Sequence, residues 1–175
     1  MPLTFRKCTD HDFPRLLSLQ ETIFATLPDA ALLRHNTPEM LRSCLADLHI
    51  TIGAWDGDTL AAASILYLPQ YPAEDLALAY APDLPDTGVF ARRANNKLCM
   101  VLPAYRGHHL QLHLGWMIEQ EAYQRGIRVL CATASPHNAA SCRNLERQGY
   151  RLHCQIVKYG YLRNLYVKSL DTTIK

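Results

Sequence analysis

The sequence predicts a single α/β domain, spanning residues 1 to 175, built on a mixed sheet. Three observations carry that prediction. Apolar runs of strand length alternate with segments of helical period; a strand, a turn and a helix follow directly on one another from residue 98 to 125; and a second apolar strand comes soon after that helix. Two parallel strands around a helix make a right-handed βαβ unit. The full order reads β-α-α-β-β, a long irregular connection, then β-α-β-α-β-β. That is not the uninterrupted alternation of a Rossmann fold.

Leu3 to Lys7 reads as the first strand. Asp10 can cap a helix running to about Leu27, with Leu16, Leu19, Gln20, Ile23 and Leu27 along one side and Pro14 in its first turn, where a missing N–H is tolerated. Thr37 before Pro38 marks a second helix, expected to reach about Leu48. Ile50 to Trp55 and Thr59 to Leu68 are strands, and the Asp56-Gly57-Asp58 turn between them signals a hairpin.

From Pro69 to Asn95 the pattern fails. Pro69, Pro72, Pro82 and Pro85, with Pro103 at the far edge, break any long periodicity, and only Ala73 to Tyr80 can hold a short helix. A connection of this length is usually functional or mobile. Order resumes with the strand Leu98 to Leu102, stopped by Pro103. Leu110, Leu114, Met117, Ile118 and Ala122 then recur at helical spacing, and Arg125-Gly126 ends the helix. Arg128 to Ala134 is an uninterrupted apolar strand of the doubly covered kind. Asn138 caps a short helix ending at Gly149, and Tyr150 to Lys158 and Leu162 to Leu170 are strands joined at Tyr159-Gly160-Tyr161.

The composition is that of an ordinary globular domain, with 49% hydrophobic and 19% charged residues. A net charge of +2, with no Lys/Arg run interleaved with aromatics, gives no support for nucleic acid. No apolar run approaches membrane-spanning length and the N-terminus has no signal-peptide core, so no membrane partner is expected and a cytoplasmic location is. Six cysteines lie far apart without a CxxC pair and read as small buried hydrophobes.

The segment from Val101 to Gln111 is the informative one. It joins a strand to a helix through a turn suited to an anion, because the first free N–H groups of the helix, those of residues 108 to 111, point outward with the positive end of the macrodipole. Arg106 adds a fixed charge, although a plain surface role is open to it. His109 and His113 are four apart on the helix with His108 nearby. Without a third ligand of clear spacing they read as solvated histidines, and no metal is expected.

Three patterns, in this order, resemble the GNAT superfamily of acyl-CoA-dependent N-acyltransferases. Val101-x-Pro103-x-Tyr105-Arg106-Gly107 is similar to the strand-to-turn half of that family's acyl-CoA motif. Ser135-Pro136-His137-Asn138, with Ser141 and the later Gly149-Tyr150, is similar to its Pro-x-Asn region. The strands around Tyr159-Gly160-Tyr161-Leu162-Arg163 look like the tail of bacterial members. About the last 80 residues carry the resemblance well; the first 70 carry it by element order.

The resemblance implies a mostly antiparallel sheet with two splayed parallel strands and flanking helices. It implies acetyl-CoA or another acyl-CoA as co-substrate, an amine of a small molecule or peptide as acceptor, and direct attack in a ternary complex. The pantetheine arm would lie between Leu98–Leu102 and Val129–Ala134, on the strand carrying Met100, Val101 and Leu102, with backbone groups of Met100 and Leu102 pairing with it. Arg106, Gly107, His108, His109, Leu110 and Gln111 would surround the pyrophosphate, with Asn138 and Ser141 beside the pantetheine.

Two positions depart from the family pattern. His109 and Gln111 stand where glycines or a small residue are expected, and Leu145 stands where many members carry the tyrosine that protonates the leaving thiolate. Ser141 is the first substitute for that acid and Tyr159 the second, with Tyr150 and Tyr161 also able to enter the groove. For the base, Glu21, Glu74, Asp75 and Asp86 lie on elements that border acceptor sites in such folds. The departures leave open a catalytically silent acyl-CoA-binding module. An interaction protein, or a homodimer, pairing through the C-terminal strands is a further alternative.

Overall fold

A computed structural model describes residues 2–81 and 92–170. The elements are β1 (Thr4–Lys7), α1 (Phe13–Phe24), α2 (Pro38–Ser43), β2 (Ile50–Asp56), β3 (Thr59–Tyr67), α3 (Leu76–Tyr80), β4 (Arg93–Val101), α4 (Leu110–Gln124), β5 (Val129–Ala134), α5 (Ala139–Arg147), β6 (Arg151–Lys158) and β7 (Tyr161–Ser169). Among the described residues they form one seven-stranded sheet in the order β1-β2-β3-β4-β5-β7-β6. Every neighbouring pair is antiparallel except β4 and β5.

Side-chain alternation along the strands divides the core between two faces. Leu130, Ala132 and Tyr166 point to one, where α4 covers them with Leu110, Leu114 and Ile118 and α5 adds Leu145. Leu98, Met100, Ile65 and Trp55 point to the other, under Leu16, Leu19 and Ile23 of α1 and Leu41 of α2. Leu76 and Ala77 of α3 close a smaller cluster over Cys131, Leu165 and Val167. Gly53 is needed on β2, because a Cβ there would stand 2.6 Å from both Leu60 and Trp55.

Several boundaries differ from the sequence expectation. Asp10 does not cap the first helix: its carboxylate accepts from Arg42 at 2.9 and 2.8 Å, and Asp12 instead accepts from the Thr9 N–H at 2.9 Å. The second helix ends at Ser43, short of Leu48, because the next residues bond three back and Thr51 Oγ1 takes the Cys44 carbonyl at 2.8 Å. β4 begins at Arg93, five residues before the apolar run. Its polar start is held by tertiary partners: Arg93 Nε lies 2.6 Å from Asp75 Oδ2, and Asn95 Nδ2 donates to the Glu74 carbonyl at 2.8 Å. Within 69–81 the chain forms one helical turn at Pro72–Glu74 and then α3; Pro82, Pro85 and Asp86 lie outside the described residues.

β4 and β5 pair through only Arg93–Val129, Ala94–Leu130 and Asn95–Cys131, then separate. At the separation the β3–β4 register shifts, leaving Lys97 as the extra residue of a bulge. Lys97 and Leu98 consequently lie toward the same face, that of α1 and α2.

Candidate functional site

One cleft of about 570 Å³ runs through the opening between β4 and β5. Its lining reaches from the end of α1 and the following loop (Ile23, Leu27, Arg34) to the turn before α4 (Arg106, Gly107, His109) and the start of α5. It therefore opens toward both faces of the sheet. This size is usual for a small-molecule site.

The register fixes which backbone groups face the opening. The Leu102 N–H donates to the Ala61 carbonyl at 2.9 Å, so Leu102 and Ala61 are a hydrogen-bonded antiparallel pair. By alternation Met100–Ala63 is another such pair, while Val101–Ala62 and Cys99–Ser64 are not. The N–H and C=O groups of Cys99 and Val101 thus point away from β3, into the gap. This corrects the expectation for Met100 and Leu102: their polar backbone is turned toward β3. Val101 and Cys99 are the residues whose backbone groups face the gap. No local pattern distinguishes the two registers, because both bury an apolar face.

At the far side of the opening, Pro103 starts a single helical turn ending at Tyr105, whose hydroxyl donates to Asp56 Oδ2 at 2.9 Å. Gly107 then takes φ +86° and His109 φ +57°, both left-handed, before α4 begins at Leu110. His109 is therefore the residue immediately before the helix rather than a helical one. A glycine suits that backbone, and a Cβ there costs about 1 kcal/mol. Arg106 is exposed, and its side chain has no hydrogen bond or ion pair among the described residues. His108 is exposed as well and, like Leu102, does not line the cleft.

Across from this turn, Asn138 Oδ1 accepts from the Ser141 N–H at 3.1 Å and so caps α5. Gln111 spans the mouth: its Oε1 accepts from Asn144 Nδ2 at 2.8 Å and its Nε2 lies 3.5 Å from Ser141 Oγ. Ser141, Tyr159 and Leu145 all line the cleft. Tyr159 sits in the β6–β7 turn at φ +58° with the Arg34 guanidinium 3.8 Å from its ring centroid. Tyr150 does not reach the cleft; it is buried beneath α4 and α5, with its hydroxyl 3.5 Å from Asn96 Nδ2. Tyr161 lies outside it too, 45% exposed.

The carboxylates expected near the acceptor are otherwise engaged. Glu21 Oε1 lies 2.9 Å from His35 Nε2. Glu74 accepts from the Tyr67 hydroxyl at 2.6 Å and the Gln70 N–H at 2.9 Å. Asp75, 1% exposed, caps α3 and pairs with Arg93. None of the three lines the cleft. Lys97 and Arg34 do line it, and nothing local in the sequence marks either residue. Burial, and then the charges of Arg34 and Lys158, push the Lys97 ammonium below its ordinary value, although Cys44 and Glu74 partly oppose this. Burial likewise pushes the Cys99 thiol up to about 12. Among the described residues no group of three or more His, Cys, Asp or Glu side chains is placed to hold a metal ion.

No protein-family model matches the sequence, and no curated protein matches it. Solved structures do. The acetyltransferase of the GNAT family from Streptococcus pneumoniae superposes with a TM-score of 0.73 at 14% identity, covering 97% of this chain and 100% of that one. The protein yncA of Salmonella typhimurium, assigned as an acetyltransferase and solved with its cofactor acetyl-CoA, gives 0.71 at 18% identity over 99% and 96%. An N-acetyltransferase from Staphylococcus aureus Mu50 gives 0.70 at 13% over 98% and 99%.

Proposed function

The chain has the fold of the GNAT acetyltransferases, and on that premise we propose that it is an N-acyltransferase moving an acyl group, most simply acetyl, from acyl-CoA to an amine. The observation that carries the reading is the parting of β4 from β5 after three residue pairs, with a continuous cleft running through the gap. A cleft open to both faces lets donor and acceptor meet from opposite sides, which supports direct attack in a ternary complex.

The residues present fit coenzyme A. Cys99 and Val101 offer unpaired backbone groups along the gap, suited to an amide-bearing arm. The N–H groups at the start of α4, the left-handed turn and the free Arg106 suit a pyrophosphate. Gly107, His109, Leu110 and Gln111 line this end, and Asn138, its oxygen used in the cap, keeps its amide free for the arm. The co-substrate supplies an acyl group activated as a thioester. The gap-facing N–H of Cys99 or Val101 then polarises the acyl carbonyl as an oxyanion donor does. Ser141, with Tyr159 second, is our candidate for returning a proton to the leaving thiolate; removing the true acid should lower kcat about a hundredfold or more.

Thiol release with acetyl-CoA over a panel of amines tests this reading, with Ser141→Ala and Tyr159→Phe measured beside the parent. Turnover with at least one amine is the expected result. Stabilisation by acetyl-CoA without turnover of any amine would favour a catalytically silent binding module, a reading that the buried Leu145 supports. No helix of the described residues is long and apolar enough to cross a membrane, and six free cysteines suit a cytoplasmic setting. β6 is an edge strand with Leu152 53% and Val157 71% exposed, which supports pairing between two copies. Sedimentation of Val157→Lys against the parent tests that pairing.

A further inference from the structure

Four cations gather at the end of the cleft opposite the pyrophosphate turn. Arg34 comes from the loop after α1, Lys97 from the β4 bulge, Lys158 from the end of β6 and Arg163 from β7; Arg34, Lys97 and Arg163 line the cleft. Tyr159 is the shared neighbour of three of them, Arg34, Lys158 and Arg163. Arg34 lies over the Tyr159 ring and Lys158 Nζ lies 5.3 Å from the same ring. After burial, Arg34 is the charge that lowers Lys158, and Arg34 and Lys158 both lower Lys97.

Arg163 is the decisive member. It is 4% exposed and lines the cleft, and its guanidinium has no hydrogen bond or ion pair among the described residues; Tyr161 approaches it by its ring, 5.8 Å away. A buried guanidinium without an anion is costly, and a fold retains one where a ligand completes it. Glu74, the anion acting on Lys97, is already bonded to Tyr67 and Gln70. Lys97 itself rests on the Tyr67 ring at 3.9 Å and by Met40, on the α1 and α2 face, whereas Arg106 and the start of α4 belong to the other face. The two positive regions therefore serve different ends of the cleft.

We propose that the acceptor is a small amine that also carries an oxyanion group, a carboxylate or a phosphate, received by Arg163 with Arg34 and Lys97. This rests on the acyltransferase reading and adds the substrate class to it. A guanidinium meets either oxyanion through two parallel N–H donors, which fixes the acceptor's body and directs its amine toward the gap. Polyamines, and neutral amines of the same size, are poor acceptors.

The test is thiol release with acetyl-CoA and matched acceptors: amino acids against their amides, and phosphoethanolamine against ethanolamine. The expected result is a kcat/KM higher by about tenfold to a hundredfold for the anionic member of at least one pair, and that pair identifies the oxyanion. Arg163→Gln should abolish the preference by raising the acceptor KM, leave the acetyl-CoA KM unchanged, and leave thermal stability unchanged or higher. Equal rates within both pairs, or an Arg163→Gln effect on acetyl-CoA instead of the acceptor, overturn the proposal. Binding of the N-acetylated acid of the preferred pair and of its neutral counterpart, each with coenzyme A present, reads the same site by thermal shift. Stabilisation by the acid alone, lost in Arg163→Gln, supports the proposal; equal or absent stabilisation by both overturns it. Failure of coenzyme A itself to bind overturns the underlying acyltransferase reading, a separate outcome.

Discussion

Asn144 donates a 2.8 Å hydrogen bond to Oε1 of Gln111, tying α5 to the first turn of α4 across the mouth of the cleft. The position at which the GNAT pattern favours a small residue is thus used as a strut. Gln111→Ala should cost about 1 kcal/mol of stability, the usual net value of one such bond, and leave coenzyme A affinity within about threefold of the parent. Denaturant unfolding and a coenzyme A titration of the same variant check the two halves. A large loss of affinity would mean that the side chain itself touches the ligand.

His109 occupies a left-handed conformation immediately before α4. His109→Gly should therefore stabilise the protein by about 1 kcal/mol, or roughly 2–4 °C in Tm for a chain of this size. Thermal unfolding measures it; a lower Tm would show that the imidazole makes a contact worth more than the backbone strain.

Arg6 clamps Asp12 with hydrogen bonds of 2.7 and 2.8 Å, and together with the Thr9 N–H it holds the carboxyl at about 2. A depressed carboxylate contributes stability that is present above its unfolded value of about 3.9 and lost as pH falls through its folded one. Arg6 is half exposed, so solvent reduces the contribution to about 1 kcal/mol. Between pH 4 and 2 the parent should lose about that much more stability than Asp12→Asn. Parallel slopes in acid unfolding would contradict this.

How much was legible in the sequence depended on where each signal resides. The strand, turn and helix from Leu98 to Gln124 could be read because an apolar run, Pro103, Gly107 and a helical period are all local. The polar start of β4 could not, since Arg93 and Asn95 become strand residues only by meeting Asp75 and Glu74, which precede them by about twenty positions. The same limit hid the direction of Met100 and Leu102, which depends on pairing with β3. It also hid the cation cluster, assembled from four segments with no motif in any of them. Asp10 misled for a different reason: its type suits a cap, but Arg42, far along the chain, claims its carboxylate.

The central claim is that the cleft between β4 and β5 receives coenzyme A, with its pyrophosphate at Arg106 and the start of α4. Calorimetric titration of coenzyme A into the parent and into Arg106→Ala tests it most directly. The account predicts saturable one-to-one binding, weakened about tenfold or more in the variant, as expected for one charge-assisted contact. Absence of binding at millimolar coenzyme A, or equal affinity in the two proteins, would contradict it.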